Sequence, residues 1–179
     1  MHPVTLDRSV PRDELYRDLA RSLEALLEGE SDALANLANA SGLLAGALDR
    51  INWCGFYLLR GEELVLGPFQ GKPACVRIPL GEGVCGTAAA RRETILVPDV
   101  ESFPGHIACD PASRSEIVVP ILEGGELRGV LDIDAPEKNR FDEKDRAGLE
   151  RFVQSLVPLV KWAQLRTQVE GGPTTGSLR

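Results

Sequence analysis

No run of lysines and arginines occurs in this chain, and no basic stripe carries interleaved aromatics. With 27 acidic against 20 basic residues and a net charge of −7, it lacks the clustered cations of a phosphate-binding surface, which excludes nucleic acid as a partner. No stretch approaches the ~18 consecutive apolar residues of a membrane span, so no membrane role is expected. The opening Met1-His2-Pro3-Val4 is followed by no apolar segment, so a signal peptide is not expected either. The sequence is read as cytoplasmic, a setting that keeps thiols reduced and makes any disulfide transient and catalytic. No C-x-x-C pair is present, and His106-x-x-Cys109 is the one couple with ligand-like spacing, so no zinc site is expected.

What the chain does have is four cysteines, three of them in unusual company. Cys75 follows Lys72-Pro73-Ala74, Cys85 sits in Gly83-Val84-Cys85-Gly86-Thr87, and Cys109 ends Pro104-Gly105-His106-Ile107-Ala108 before Asp110-Pro111. A cysteine kept only for packing usually lies in a continuous apolar run. Gly, Pro and Asp instead place these three in irregular backbone near the surface, where a thiolate can meet a small molecule. Cys54 differs: it lies inside an apolar strand pattern and reads as core.

At 179 residues the chain is long enough for one domain with a full core. Residues 1–11 read as an N-terminal extension, 12–168 as the domain and 169–179 as a disordered tail. Leu15, Leu19, Leu23, Leu26 and Leu27 mark an amphipathic helix over 12–28. A second helix is predicted from Ser31 as N-cap to about Leu48, with Leu34, Leu37, Leu44 and Leu48 on one side. Strands follow at Trp53–Leu59, Glu63–Leu66, Val76–Pro79 and Thr94–Val97, with a short helix at Val84–Arg92. Residues 99–115 form a long loop of the kind that usually carries function. Glu116–Leu122 and Leu127–Asp134 make a hairpin across Gly124-Gly125. A closing helix starts at Asp142 and runs along Leu149, Phe152, Val153, Leu156, Val157 and Val160, with a kink expected at Pro158. This order predicts an α+β fold: a mostly antiparallel six-stranded sheet, the N- and C-terminal helices on one face, and a loop-enclosed pocket on the other.

The strings Asn52-Trp53-Cys54-Gly55-Phe56-Tyr57, Gly67 to Cys75, Gly81 to Ala89, Phe103 to Asp110, Ser115 to Pro120, Gly129 to Asp134 and Arg140-Phe141-Asp142 together resemble the free methionine-(R)-sulfoxide reductases, a family with the GAF fold. The resemblance spans about residues 12–163. It implies reduction of the R epimer of free L-methionine sulfoxide, thioredoxin as reductant, and no metal or organic cofactor. It also implies that Cys109 is the nucleophile that becomes a sulfenic acid. Cys75 is then the main resolving thiol, with Cys85 as an alternative, and exchange with thioredoxin restores the dithiol.

Electrostatics read from the sequence ranks the thiols differently. Cys85 opens a short helix, whose dipole should lower its pKa, while Asp110 beside Cys109 should raise that thiol's. The simple alternative for Cys85 is a packed small residue. Asp132 and Asp134 are two apart on one strand and share a face. So close a pair pushes one pKa up and keeps a proton available for the sulfoxide oxygen, or else binds the substrate's ammonium group. The family resemblance adds Glu116 to them. A two-residue turn at Gly124-Gly125 would pair Glu116 with Ile133 and point it away; a longer loop or a bulge near Pro120 would set it opposite Asp134. Trp53 and Tyr57 also share a face, and the resemblance makes them the wall around the substrate's methyl end, with plain core packing as the alternative. The amphipathic helices offer surfaces for a homodimer. The competing functional readings are a GAF binding module without chemistry and a thiol redox sensor.

Overall fold

The structure, a computed structural model, describes residues 9–107 and 109–165; the disordered tail expected at 169–179 lies outside them. Helix α1 (Arg12–Leu27) and helix α2 (Ala33–Ala47) lead into strands β1 (Trp53–Arg60), β2 (Glu63–Gly71) and β3 (Arg77–Pro79). A short helix α3 (Gly83–Arg91) precedes β4 (Ile95–Val97), β5 (Ser115–Glu123), β6 (Glu126–Ala135) and helix α4 (Glu143–Leu156). The six strands form one sheet in the order β3-β2-β1-β6-β5-β4, every neighbouring pair antiparallel.

The period-2 pattern of the central strands divides the molecule. Cys54, Phe56 and Leu58 of β1, Ile117, Val119 and Ile121 of β5, and Leu131 and Ile133 of β6 face a core closed by α1, α2 and α4. The intervening residues face the other way, where Tyr57, Val118 and Val130 meet Val84, Cys85 and Ala88 of α3. The expected α+β layout therefore holds, with α3 as an additional cover on the pocket side. Among the described residues no helix is long and apolar enough to cross a membrane.

Local chemistry explains where the elements depart from expectation. Asp32, not Ser31, caps α2, its carboxylate accepting from the Ala35 N–H at 2.8 Å. Leu34 is 56 % exposed because the buried stripe runs through Ala33, Leu37, Ala40 and Leu44, and Leu34 lies about 100° around the helix from it. Strand β2 runs on to Gly71, past the expected end at Leu66. Gly67 and Pro68 both stand opposite Phe56 there, and this bulge takes up a proline that has no N–H to pair. Pro158 does not kink a long helix: α4 stops at Leu156 and a 3-10 turn over Val157–Leu159 follows.

At the other end of α4, Asp142 accepts from the N–H groups of Lys144 and Asp145, while Asp145 accepts from the Asp142 N–H. Asp145 also bonds Arg12 at 2.7 Å and the Tyr16 hydroxyl at 2.8 Å, and lies 3.4 Å from Arg140. This buried network locks α1 to the start of α4. Gly148 completes the contact, since a Cβ there would lie 2.2 Å from the Tyr16 ring.

The β5–β6 hairpin decides the position of the site. Its turn has only two residues, Gly124 and Gly125, both with positive φ. Glu123 pairs with Glu126 and Leu122 with Leu127, but Ile121 pairs with Gly129. Arg128 is the extra residue of a bulge, and every pair beyond it is shifted by one. Glu116 consequently stands opposite Asp134 rather than Ile133.

Candidate active site

A small cavity opens on the sheet face away from α1, α2 and α4, between the pocket face of the sheet, α3 and the loop before β5. The bulge brings Glu116 of β5 onto the same face as Asp132 and Asp134 of β6, and all three carboxyls line the cavity. Cys85, Cys109 and Tyr57 complete the group expected from the sequence. Cys75 lies at the rim, bonded to Cys109 in a disulfide with a Cα–Cα separation of 5.4 Å. Trp53 stands behind the cavity wall. It stacks on Tyr57 and Phe69 with centroids 5.8 and 5.3 Å apart, and its indole N–H donates to the Lys72 carbonyl. The Tyr57 hydroxyl donates to the Cys75 carbonyl at 3.0 Å, so the aromatic pair braces the loop that carries Cys75. Cys54 is fully buried on the helix side of the sheet, as its pattern predicted.

The three carboxyls share one patch of the cavity wall, and within the cavity lining no lysine or arginine compensates them. Burial pushes the Asp132 carboxyl up to about 7. Glu116 and Asp134 are held well above the usual range, first by burial and then by the neighbouring acids. Near neutral pH the cluster therefore holds protons that ordinary carboxylates would have lost. Asp132 Oδ1 is buried without a hydrogen-bond partner, the condition of a group that waits for a polar ligand.

Cys85 overturns the helix-dipole expectation. Its sulfur is buried 3.9 Å from Glu116 Oε1, and its pKa is raised well above the ordinary value by burial and by the charges of Asp132 and Glu116. Half a charge at a helix end does not outweigh desolvation beside a cluster of acids. Cys85 is thus a protonated thiol and remains free while Cys75 and Cys109 are joined. Among the described residues, Cys85, Glu116 and Asp132 are the one group offering three ligand atoms within 4.8 Å. A closed zinc site takes four ligands, mostly Cys and His, which this trio does not supply.

Asp110, beside Cys109, is tied into the surrounding loops. Its carboxylate accepts from the Ala112 N–H at 2.9 Å and from Asn52 Nδ2 at 3.1 Å, and Lys72 Nζ lies 3.5 Å away. These partners, the Ala112 N–H first, hold its pKa below the usual value. Asp110 is a brace that ties the Cys109 loop to β1 and to the Cys75 loop. The Asp-Pro-Ala step, in which an aspartate accepts from the N–H two residues on, was the sequence signal for this turn. Sequence reasoning also gave His106 no role in the site. Its Nε2 lies 3.7 Å from Glu116 Oε2, and burial lowers its pKa.

Residues 20–158 match the model of the GAF domain. The chain is 54 % identical over 145 residues to the free methionine-R-sulfoxide reductase of Escherichia coli, covering 81 % of this chain and 88 % of that one. It is 55 % identical over 151 residues to protein YtsP of Bacillus subtilis, with 83 % and 93 % covered. The fold is similar to the X-ray structure of the free methionine-R-sulfoxide reductase of Neisseria meningitidis in complex with its substrate. The TM-score is 0.86 at 41 % identity, and 92 % of this chain and 99 % of that one are covered. The chain belongs to the GAF-domain family, among the free methionine-R-sulfoxide reductases.

Proposed function

We propose that the protein reduces free L-methionine-(R)-sulfoxide to methionine, with Cys109 as nucleophile, Cys75 as resolving thiol and Glu116 as the acid. The observation that carries this reading is the Cys75–Cys109 disulfide at the mouth of a cavity lined by proton-holding carboxyls. The relatives named as reductases of this substrate support it.

Sulfoxide sulfur is a poor electrophile until its oxygen is protonated. In the reduced protein the Cys109 thiolate attacks that sulfur while Glu116 gives its proton to the oxygen. The hydroxyl then shifts from the substrate sulfur to the Cys109 sulfur as the new sulfur–sulfur bond and the S–O bond break, so methionine leaves, Cys109 is a sulfenic acid and Glu116 is left as a carboxylate. The Cys75 thiol then attacks the Cys109 sulfur, forming the disulfide and releasing water. Two electrons pass from the two thiols to the sulfoxide. Asp132 and Asp134 supply acceptors for the substrate's ammonium group, and the unpartnered Asp132 oxygen is the one best placed by its chemistry. Tyr57, backed by Trp53, provides an aromatic surface for the S-methyl group. Thioredoxin is the expected reductant of the disulfide, and a homodimer formed through the amphipathic helices is the expected assembly.

The test is methionine release by the reduced protein, comparing wild type with Cys109→Ser and Cys85→Ser on both epimers of the free amino acid. Turnover of the R epimer by wild type and Cys85→Ser, and none by Cys109→Ser, supports the reading. No methionine from wild type with its thiols verified as reduced refutes it and leaves a binding or sensing module. Light scattering that returns a monomer mass at micromolar protein rules out the dimer.

A further inference from the structure

Each turnover leaves Glu116 as a carboxylate, buried on the floor of the cavity beside two more acids. The next sulfoxide oxygen needs that proton back. Few groups face Glu116. Cys85 of α3 lies 3.9 Å from Oε1, and Asp132 and Asp134 crowd it from the paired strand β6. His106, on the loop that carries Cys109, places Nε2 3.7 Å from Oε2. Cys85 and Asp132 are themselves buried, and the Asp134 carboxyl is engaged by Ser113. The His106 side chain keeps 17 % of its surface open to solvent, against 8 % for Glu116. It therefore touches both the buried acid and water.

We propose that His106 is the proton relay of this site, returning a proton from solvent to Glu116 between turnovers. The step moves one proton only: the Nε2–H of an imidazolium passes to Oε2 of the carboxylate, giving imidazole and carboxylic acid, and solvent protonates the imidazole again. Burial lowers the histidine's pKa while burial and neighbouring acids raise that of Glu116, so the two shifts run in the directions that favour transfer to the carboxylate. The 3.7 Å separation exceeds a hydrogen bond, and gaps of this kind commonly close in the substrate complex. His106 is three residues from Cys109 on the same loop. The proposal rests on Glu116 as the acid.

The experiment separates the first turnover from the later ones. Reduced His106→Gln, with His106→Asn in parallel, is mixed with free methionine-R-sulfoxide, and methionine is followed by quenched flow. The steady state is then measured with saturating dithiothreitol. The first methionine is expected within about twofold of the wild-type rate, because Glu116 starts protonated, while the steady state slows by at least about tenfold, the scale of a lost proton-transfer group. Added imidazole should restore the steady state, and the restoration should decline as pH rises and imidazolium disappears. A first turnover slowed as much as the steady state would overturn the relay, since that is the mark of a packing or substrate-contact role. So would a steady state equal to wild type, or one that imidazole leaves slow. Glu116→Gln, run alongside, keeps the two readings apart. A normal first turnover in that variant overturns the acid assignment and the relay with it. A slow first turnover there, with His106→Gln cycling normally, overturns the relay alone.

Discussion

Asp132→Asn reads the electrostatics of the site through stability. Burial raises the Asp132 carboxyl to about 7 from an ordinary 3.8. The folded protein therefore holds a proton at pH values where the unfolded chain has already released it. Folding takes up that proton between about pH 4 and pH 7, so stability falls as pH rises through this window and levels off above it. At 1.36 kcal/mol per pH unit, the loss contributed by this group reaches about 4 kcal/mol at pH 8, and is only about 2 kcal/mol at pH 5. Asparagine keeps the shape, can donate a hydrogen bond as the protonated acid does, and never ionises. The advantage of the variant over wild type should consequently grow by about 2–3 kcal/mol between pH 5 and pH 8, while methionine sulfoxide reduction is lost. Urea unfolding at pH 5, 6, 7 and 8, followed by the fluorescence of the buried Trp53 and Trp162 with the disulfide kept intact, measures it. A stability difference that stays constant across the four pH values would refute the reasoning, whatever its sign.

The other expectations concern packing and connectivity. Gly148→Ala should destabilise by about 1–3 kcal/mol or more in urea, because the added methyl meets a Tyr16 ring that is buried and held through its hydroxyl by Asp145. A wild-type midpoint would refute the close contact. Asp145→Asn leaves the buried Arg140 with Asp49 as its ionic partner and weakens the bonds to Arg12 and Tyr16, which should cost about 1–3 kcal/mol, with α1 the first element to loosen in hydrogen exchange. Protection of α1 equal to wild type would count against the network's role. After oxidation by one equivalent of substrate, peptide mapping of Cys85→Ser should still find Cys75 joined to Cys109. Failure to form that disulfide would make Cys85 an obligatory intermediate partner.

The layout was legible because it rests on short-range patterns. Alternation along Trp53–Leu59 and Leu127–Asp134 separated the two sheet faces, and the leucines of α1 and the Asp142 cap marked the helices. The site depended on quantities that are not local. Whether Glu116 joined the aspartates turned on one extra residue, Arg128, about as far from Glu116 as the hairpin allows. The glycine turn is visible in the sequence, but the choice between a regular ladder and a bulged one is not. Cys85 was misjudged for a related reason: a helix end is visible in sequence, whereas the depth of burial and the three acids converging on it come from strands β5 and β6. Asp110 had a local signal, its turn geometry, that the charge argument set aside. Cys75, Cys85 and Cys109 stood out through their glycine and proline neighbours, because irregular backbone is itself a short-range property.

The Cys75–Cys109 bond joins positions 34 residues apart, so oxidation turns the stretch carrying β3, α3 and β4 into a covalent ring. A ring of that size removes enough freedom from the unfolded chain to favour the folded state by about 3–4 kcal/mol on loop-closure grounds. The oxidised form of the protein is then the one that resists unfolding, and reduction of the bond returns an open thread with a shallower energy well. A cell that loses reducing power accumulates the tougher topology. Protein stalled by a shortage of electrons should therefore be preserved rather than degraded, ready to resume when reductant returns.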